Sequence, residues 1–188
     1  GSIVQLTPYK REYALHIPKK ASTVTNRLLA HFISYFINIS HPKITVCDVD
    51  AEIDLFDAFS ASVERDADYR FDVVVSGASA DFVCHCFLLP KAISDDERST
   101  NALYLGANGR AVKRFDMDGV IGLKAIDNRF AFLGYIESSA LDDAVNDTRT
   151  DFSLSEDEVD SIVDQAKERV KNFLAPELAE IREKQTGI

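Results

Sequence analysis

The apolar positions of this chain change period along its length. Val24, Leu28, Leu29, Phe32, Ile33 and Phe36 recur at three- and four-residue steps, the spacing of one helical face. A helix is predicted over residues 20–37, capped by Ser22 or Thr23 and stopped by Ser40-His41-Pro42. Residues 3–6 before it alternate as a strand, and 13–17 read as extended. Residues 43–47 read as a strand and Asp48-Val49-Asp50 as a turn, and Leu55, Phe56 and Phe59 place a short helix within 53–63.

The pattern then turns β. Residues 69–75 and 80–89 are rich in β-branched and aromatic types, and Ser76-Gly77-Ala78-Ser79 between them is a hairpin signal. Pro90 closes the second strand, and 91–100 read as an exposed loop. Residues 102–106 and 111–115 pair across Asn108-Gly109, where glycine accepts positive φ. An irregular loop is expected at 116–122 and the last strand at 130–137. Ser138-Ser139 caps a short helix through Leu141 and Val145.

Ser155 and Glu158 form a capping box. Val159, Ile162, Val163, Ala166, Val170 and Phe173 then keep helical spacing until Pro176 ends or kinks the helix, and 177–184 can form one more helical piece. The order of elements predicts an α/β (α+β) two-layer sandwich, a mostly antiparallel or mixed sheet backed by helices with a long C-terminal helix. One domain is expected over residues 1–188, with 153–188 as a helical extension.

The formal net charge of −10 argues against a general nucleic-acid binder, although Lys19, Lys20 and Arg27 cluster near one helix start. No apolar run approaches the ~20 residues of a membrane span. Three cysteines, an odd count, fit a reducing cytoplasm better than a disulfide scaffold. Cys84-His85-Cys86 sits in an apolar run. In a strand the two thiols share one face and His85 takes the other, and a core role outweighs a metal site there.

No Walker loop, Gly-x-Ser-x-Gly or His-Glu-x-x-His motif is present. Asp142-Asp143 and Glu156-Asp157-Glu158 read as solvated acids at helix starts. What stands out is the polar joint Leu141–Phe152 between a strand and a helix, a place where rigid elements can hold one side chain fixed. Arg149 is the candidate, with Asn146 and Thr148 beside it. The competing reading of Arg149 is a salt bridge to Asp147, Asp151 or a nearby glutamate.

Ala107-Asn108-Gly109-Arg110-Ala111-Val112 and Leu141-Asp142-Asp143-Ala144-Val145-Asn146-Asp147-Thr148-Arg149 together resemble the second domain of the GHKL ATPases, the superfamily of gyrase B, the ninety-kilodalton heat-shock chaperones and MutL. A bacterial group of histidine-kinase-like ATP-binding proteins is similar over nearly the whole chain. That likeness rests on Ile17–Ser22, Ala107–Arg110, Gly134-Tyr135-Ile136 and, most specifically, Val145-Asn146-Asp147-Thr148-Arg149-Thr150-Asp151-Phe152.

The resemblance implies a fold like the second domain of ribosomal protein five of the small subunit, with a four-stranded sheet backed by helices. It also implies a transducer role in a cytoplasmic ATPase. Arg149 stands where the family has a lysine that meets the γ-phosphate of ATP, and its planar fork can grip two phosphate oxygens. Asn146 and Thr148 become candidate cofactor contacts, with a turn-bracing role also open for Asn146. ATP and Mg2+ are implied for the parent protein only. The implied partners are a GHKL ATPase domain in cis, whose end residues 1–6 resemble, and a second copy of the parent.

By itself the chain is expected neither to bind ATP tightly nor to hydrolyse it. Two other functions compete. A binding module would need a basic face, built from Lys19, Lys20, Arg27 and Lys43. A free-standing enzyme would need a glycine-rich phosphate loop, which the sequence lacks.

Overall fold

The computed structural model describes residues 3–4, 10, 20–37, 42–93, 101–121, 129–148 and 150–186. Strands β1 (Thr45–Cys47) and β2 (Glu52–Asp54) form a two-stranded antiparallel ribbon. Five longer strands follow: β3 (Arg65–Val75), β4 (Ala78–Pro90), β5 (Ala102–Ala107), β6 (Arg110–Asp116) and β7 (Phe130–Glu137). Their order across the sheet is β3-β4-β7-β5-β6. Every neighbouring pair is antiparallel except β5 with β7, which is parallel. The chain is thus an α+β sandwich on a mixed sheet, as the element order predicts, with five strands rather than four.

Seven helices are described: α1 (Ala21–His31), α2 (Ile33–Phe36), α3 (Leu55–Ser62), α4 (Asp118–Ile121), α5 (Ser139–Ala144), α6 (Glu156–Phe173) and α7 (Ala175–Thr186). The main core lies between one sheet face and α6, where Phe71, Phe82, Leu88, Leu105, Phe132 and Ile136 meet Ile162, Ala166 and Val170. A smaller cluster covers part of the other face, with Leu29, Ile33, Leu55 and Phe59 on Phe87, Leu89, Leu133 and Tyr135. The inner strands therefore read as apolar runs. Every residue of β5 is buried, and so are all but the ends of β7.

β3 alternates instead, because the second cluster does not reach over it. Its odd-numbered residues from Arg65 to Val75 face α6, and Asp66, Asp68, Arg70 and Asp72 are exposed on the other side. Those acids hide the strand from propensity, so the expected start at Tyr69 becomes Arg65 in the structure.

Other boundaries move for local reasons. Neither Ser22 nor Thr23 caps α1. Lys20 occupies the cap position with no side-chain bond, and the Ala21 N–H donates to Asp48 Oδ2 at 2.6 Å from the β1–β2 turn. The helix expected over 20–37 breaks at Phe32, whose ψ of 11° leaves the helical range. Glu52–Asp54 pairs as β2 before α3 begins, and Asp54 caps that helix through the N–H groups of Phe56 and Asp57. The loop expected at 91–100 opens with a 3-10 turn, Lys91–Ile93, that buries Ile93. Instead of an irregular loop at 116–122, Met117 is fully buried and α4 follows it. Ile3 and Val4 are exposed and outside any strand. The extended stretch expected at 13–17 lies outside the described residues.

The capping box forms at α6, and Glu158 also accepts the Ser76 N–H at 2.6 Å, tying the β3–β4 hairpin to the helix start. Arg65 holds the other end. Its guanidinium donates to the Phe173 carbonyl and to Glu177 Oε2, both at 2.6 Å, and lies 4.5 Å from the centre of the Phe173 ring. A cation at a helix C-terminus satisfies carbonyls that lack helical partners. Arg65→Ala is expected to cost about 1.5 kcal/mol of stability, read as a lower urea midpoint. Loss of less than about 0.3 kcal/mol would mean that the contact is too solvated to matter.

Candidate functional site

The polar joint after β7 is a closed loop on the end of a short helix. Ser138 caps α5 by accepting the Ala140 N–H, and its own hydroxyl donates to the Asp81 carbonyl at 2.7 Å. Beyond the helix, Val145 and Phe152 form an isolated antiparallel bridge. The Asn146 N–H donates to the Asp151 carbonyl at 3.0 Å, and the Ser153 N–H to the Ala144 carbonyl at 2.7 Å.

Asn146 binds the loop together from inside. Its Oδ1 accepts the Thr148 hydroxyl at 3.1 Å and the Thr150 N–H at 3.0 Å, and its Nδ2 donates to Thr150 Oγ1 at 3.4 Å. The Thr148 and Thr150 hydroxyls sit 2.9 Å apart. Asn146 and Thr148 thus turn toward the loop's own backbone and hydroxyls, the bracing role. Arg149 lies outside the described residues. Asp151, next along, accepts the Phe152 N–H at 2.9 Å and pairs with Lys113 of β6 at 3.3 Å. The first bond and then the lysine hold its carboxyl below the usual carboxylate range.

The other motif comes to the same place. Asn108 and Gly109 turn the β5–β6 hairpin with φ of 51° and 71°. Asn108 donates its N–H to Asp142 Oδ1 of α5 at 2.6 Å. The Arg110 carbonyl accepts the Tyr135 hydroxyl at 3.3 Å, so Arg110 flanks the hairpin as its position suggests. The motif stretches 107–112, 134–136 and 141–152 therefore meet through side-chain bonds. The described part of the fourth, Lys20 to Ser22, opens α1.

A cleft of about 380 Å³ lies where these pieces join, and Asp81, Gly106, Asn108, Tyr135, Glu137 and Asp142 contribute to its walls. Gly106 is required there, because a Cβ would overlap the Tyr135 ring and hydroxyl. Beside the cleft, His85 is buried between two carboxylates. Its Nδ1 lies 2.7 Å from Asp68 Oδ1 of β3 and its Nε2 3.3 Å from Glu137 Oε1 of β7. Burial pulls the His85 pKa down, but the bonds to Glu137 and Asp68 more than offset it, so the pKa is raised. The His85 bond holds Glu137 below its ordinary value against the opposing effect of burial.

Sequence reasoning missed this cleft and the three-strand bridge beside it. The one signal was His85 facing away from Cys84 and Cys86. Both thiols are fully buried on the α6 side with sulfurs 3.7 Å apart. The bond to Cys84, then burial, pushes the Cys86 thiol far up, and it stays protonated. Among the described residues no group of three or more His, Cys, Asp or Glu is placed to hold a metal ion. Of the cationic cluster, Lys20, Arg27 and Lys43 are exposed, and Lys19 lies outside the described residues. Asp48 and Asp50 interrupt it at the β1–β2 turn, where Asp48 already binds α1. No described helix is long and apolar enough to cross a membrane.

The acid lining of the cleft does not suit a triphosphate, whose charge has the same sign. The described residues that line the cleft therefore do not fit a pocket that encloses a triphosphate. No family model matches the chain, and neither a curated protein nor a solved structure shows significant similarity to it.

Proposed function

We propose that this chain is the transducer domain of a cytoplasmic GHKL-type ATPase, and that Arg149 contacts the γ-phosphate of ATP held with Mg2+ by a nucleotide domain in the same parent protein. The supporting observation is that the two stretches carrying the resemblance, far apart in sequence, are joined by the Asn108–Asp142 contact, with the Lys113–Asp151 pair just beyond their ends. A positioned cation stabilises the charge that gathers on phosphoryl oxygens during transfer. Asn146 and Thr148 support this role by bracing the loop, which lowers the entropy lost when the arginine engages. When γ-phosphate leaves, the loop loses its partner, and α5 and the hairpin tied to it can relay the change. The parent can act as a homodimer through its nucleotide domains, and nucleic acid is not the partner this reading assigns.

The test is ATP turnover and ATP affinity of the parent protein with and without Arg149→Ala. Turnover is expected to fall about 10-fold, a barrier change of about 1.4 kcal/mol, while ATP still binds. A folded variant with unchanged turnover and affinity would make Arg149 a structural charge and remove the transducer reading.

A further inference from the structure

We propose that the sheet face beside the cleft docks a basic, extended segment of a partner protein, with one arginine or lysine side chain seated in the cleft. This inference rests on the face itself and is independent of the ATPase reading.

The strand registers place the relevant residues on one side. Asp68 stands opposite His85, which stands opposite Tyr135. Arg70 stands opposite Val83, and Val83 opposite Glu137. Asp72 stands opposite Asp81. Among the described residues, the second helical cluster covers the same face around Phe87, Leu89, Tyr104, Leu133 and Tyr135. Beyond it Asp66, Asp68, Arg70, Asp72 and Asp81 are exposed. The Arg70 and Asp81 side chains are 72% and 61% exposed, so their 3.3 Å pair is open to exchange for a better partner.

The carboxylates at the cleft are held before any ligand arrives. His85 holds Glu137 and the Asn108 N–H holds Asp142, while Asp81 is placed by its strand position opposite Asp72 of the edge strand β3. Each has further acceptor sites on its oxygens. Fixed acceptors on strands and a short helix reduce the ordering cost of binding. The volume of about 380 Å³ falls at the small end of ligand sites, roughly 300–1,000 Å³, which suits one side chain. A guanidinium matches paired carboxylates best, because its planar donors can bind two oxygens at once. Asp66, Asp68 and Asp72 on the exposed side of β3 supply the complementary charge for the rest of the segment.

The probe is a dye-labelled octapeptide of alternating arginine and alanine, titrated with this chain and followed by fluorescence anisotropy. Asp72→Asn with Asp81→Asn removes charge from the face at exposed positions that cap no helix. Asp160→Asn with Asp164→Asn removes the same charge from the outer side of α6. The first pair is expected to weaken binding at least ~10-fold and the second less than ~2-fold. In amide proton–nitrogen spectra the peptide should shift Gly106, Asn108 and Ser139 at the cleft. Equal losses in the two pairs would reduce the effect to net charge and overturn the proposal. So would absence of binding at about 1 mM peptide. Competition by arginine amide as strong as that of the whole peptide would also overturn it, since the cleft would then take a small cation and the sheet face nothing.

Discussion

Phe132→Ala should lower the stability of the chain by about 3–5 kcal/mol, the range for truncating a fully buried aromatic ring. Phe132 sits on β7 with no exposed surface, facing α6, and its ring centre lies 6.1 Å from that of Phe173. The backbone shape leaves the ring its room. A Cβ at Gly134 would sit 2.8 Å from Phe132 Cζ and 2.6 Å from Leu103 Cδ1, so the glycine is there to let the ring and Leu103 pass. Removing the ring leaves a space that neither β7 nor α6 can close easily. β7 is fixed between β4 and β5, and α6 is tied at both ends, by Glu158 to Ser76 and by Arg65 to the Phe173 carbonyl. Total stability for a domain is only about 5–15 kcal/mol, so the variant should unfold at much lower urea and roughly 10 °C earlier. Urea midpoints with an unchanged slope would measure it. A loss under about 1 kcal/mol would mean that α6 settles into the gap, and that the two ties do not hold it.

Much of this frame is legible in the residues because it depends on neighbours in sequence. Phe130–Glu137 is dense in aromatic and apolar residues and forms β7 at the expected bounds. Ser155 with Glu158, Ser138 ahead of α5, and the Asn108-Gly109 turn are all local chemistry, and each does what its type predicts. The opposite faces of Cys84 and His85 follow from the pleat alone.

What the residues conceal depends on distant partners. Asp48 binds the start of α1 from 27 positions away, so the local candidates Ser22 and Thr23 are not needed. β2 exists because β1 lies beside it; alone, Ile53 fits a helix as well as a strand. The acids of β3 argue against a strand by propensity, yet they sit on the open side of one. The cleft is hidden most completely, because it is made by β4, β5, β7 and α5 together. Of the candidate site residues, Asn146 and Thr148 belong to a self-bonded loop that the Asn-x-Thr-x-Thr spacing allows but does not announce.

Replacing His85 with phenylalanine should cost about 1–2 kcal/mol near pH 6, because it removes two hydrogen bonds to carboxylates that stay partly solvated, Asp68 at 64% and Glu137 at 39% exposure. The His85 side chain is 10% exposed and joins three strands, through Asp68 on β3 and Glu137 on β7. The hydrogen bonds to Glu137 and Asp68 raise the His85 pKa against burial and so favour the protonated imidazole, which can donate from both ring nitrogens. The pH dependence has a defined sign. The folded pKa of His85 is raised, so its contribution is fully present below the unfolded value and is lost as pH rises through the folded one. The folded pKa of Glu137 is depressed, so its contribution is present above the unfolded value and is lost as pH falls through the folded one. With unfolded values of about 6.5 for histidine and about 4.3 for glutamate, the bridge is at full strength between those limits. The stability difference between the native chain and His85→Phe should therefore be largest near pH 5.5, between the two unfolded values, and it should shrink as pH rises through the raised folded pKa of His85. Urea denaturation of both proteins across this range reads it directly. A difference that stays constant with pH would mean that the imidazole is neutral and makes one of the two bonds only. The same series bears on the cleft, because Glu137 is one of its walls. If the bridge orders that carboxylate, the arginine peptide should lose affinity for His85→Phe even where the variant is fully folded.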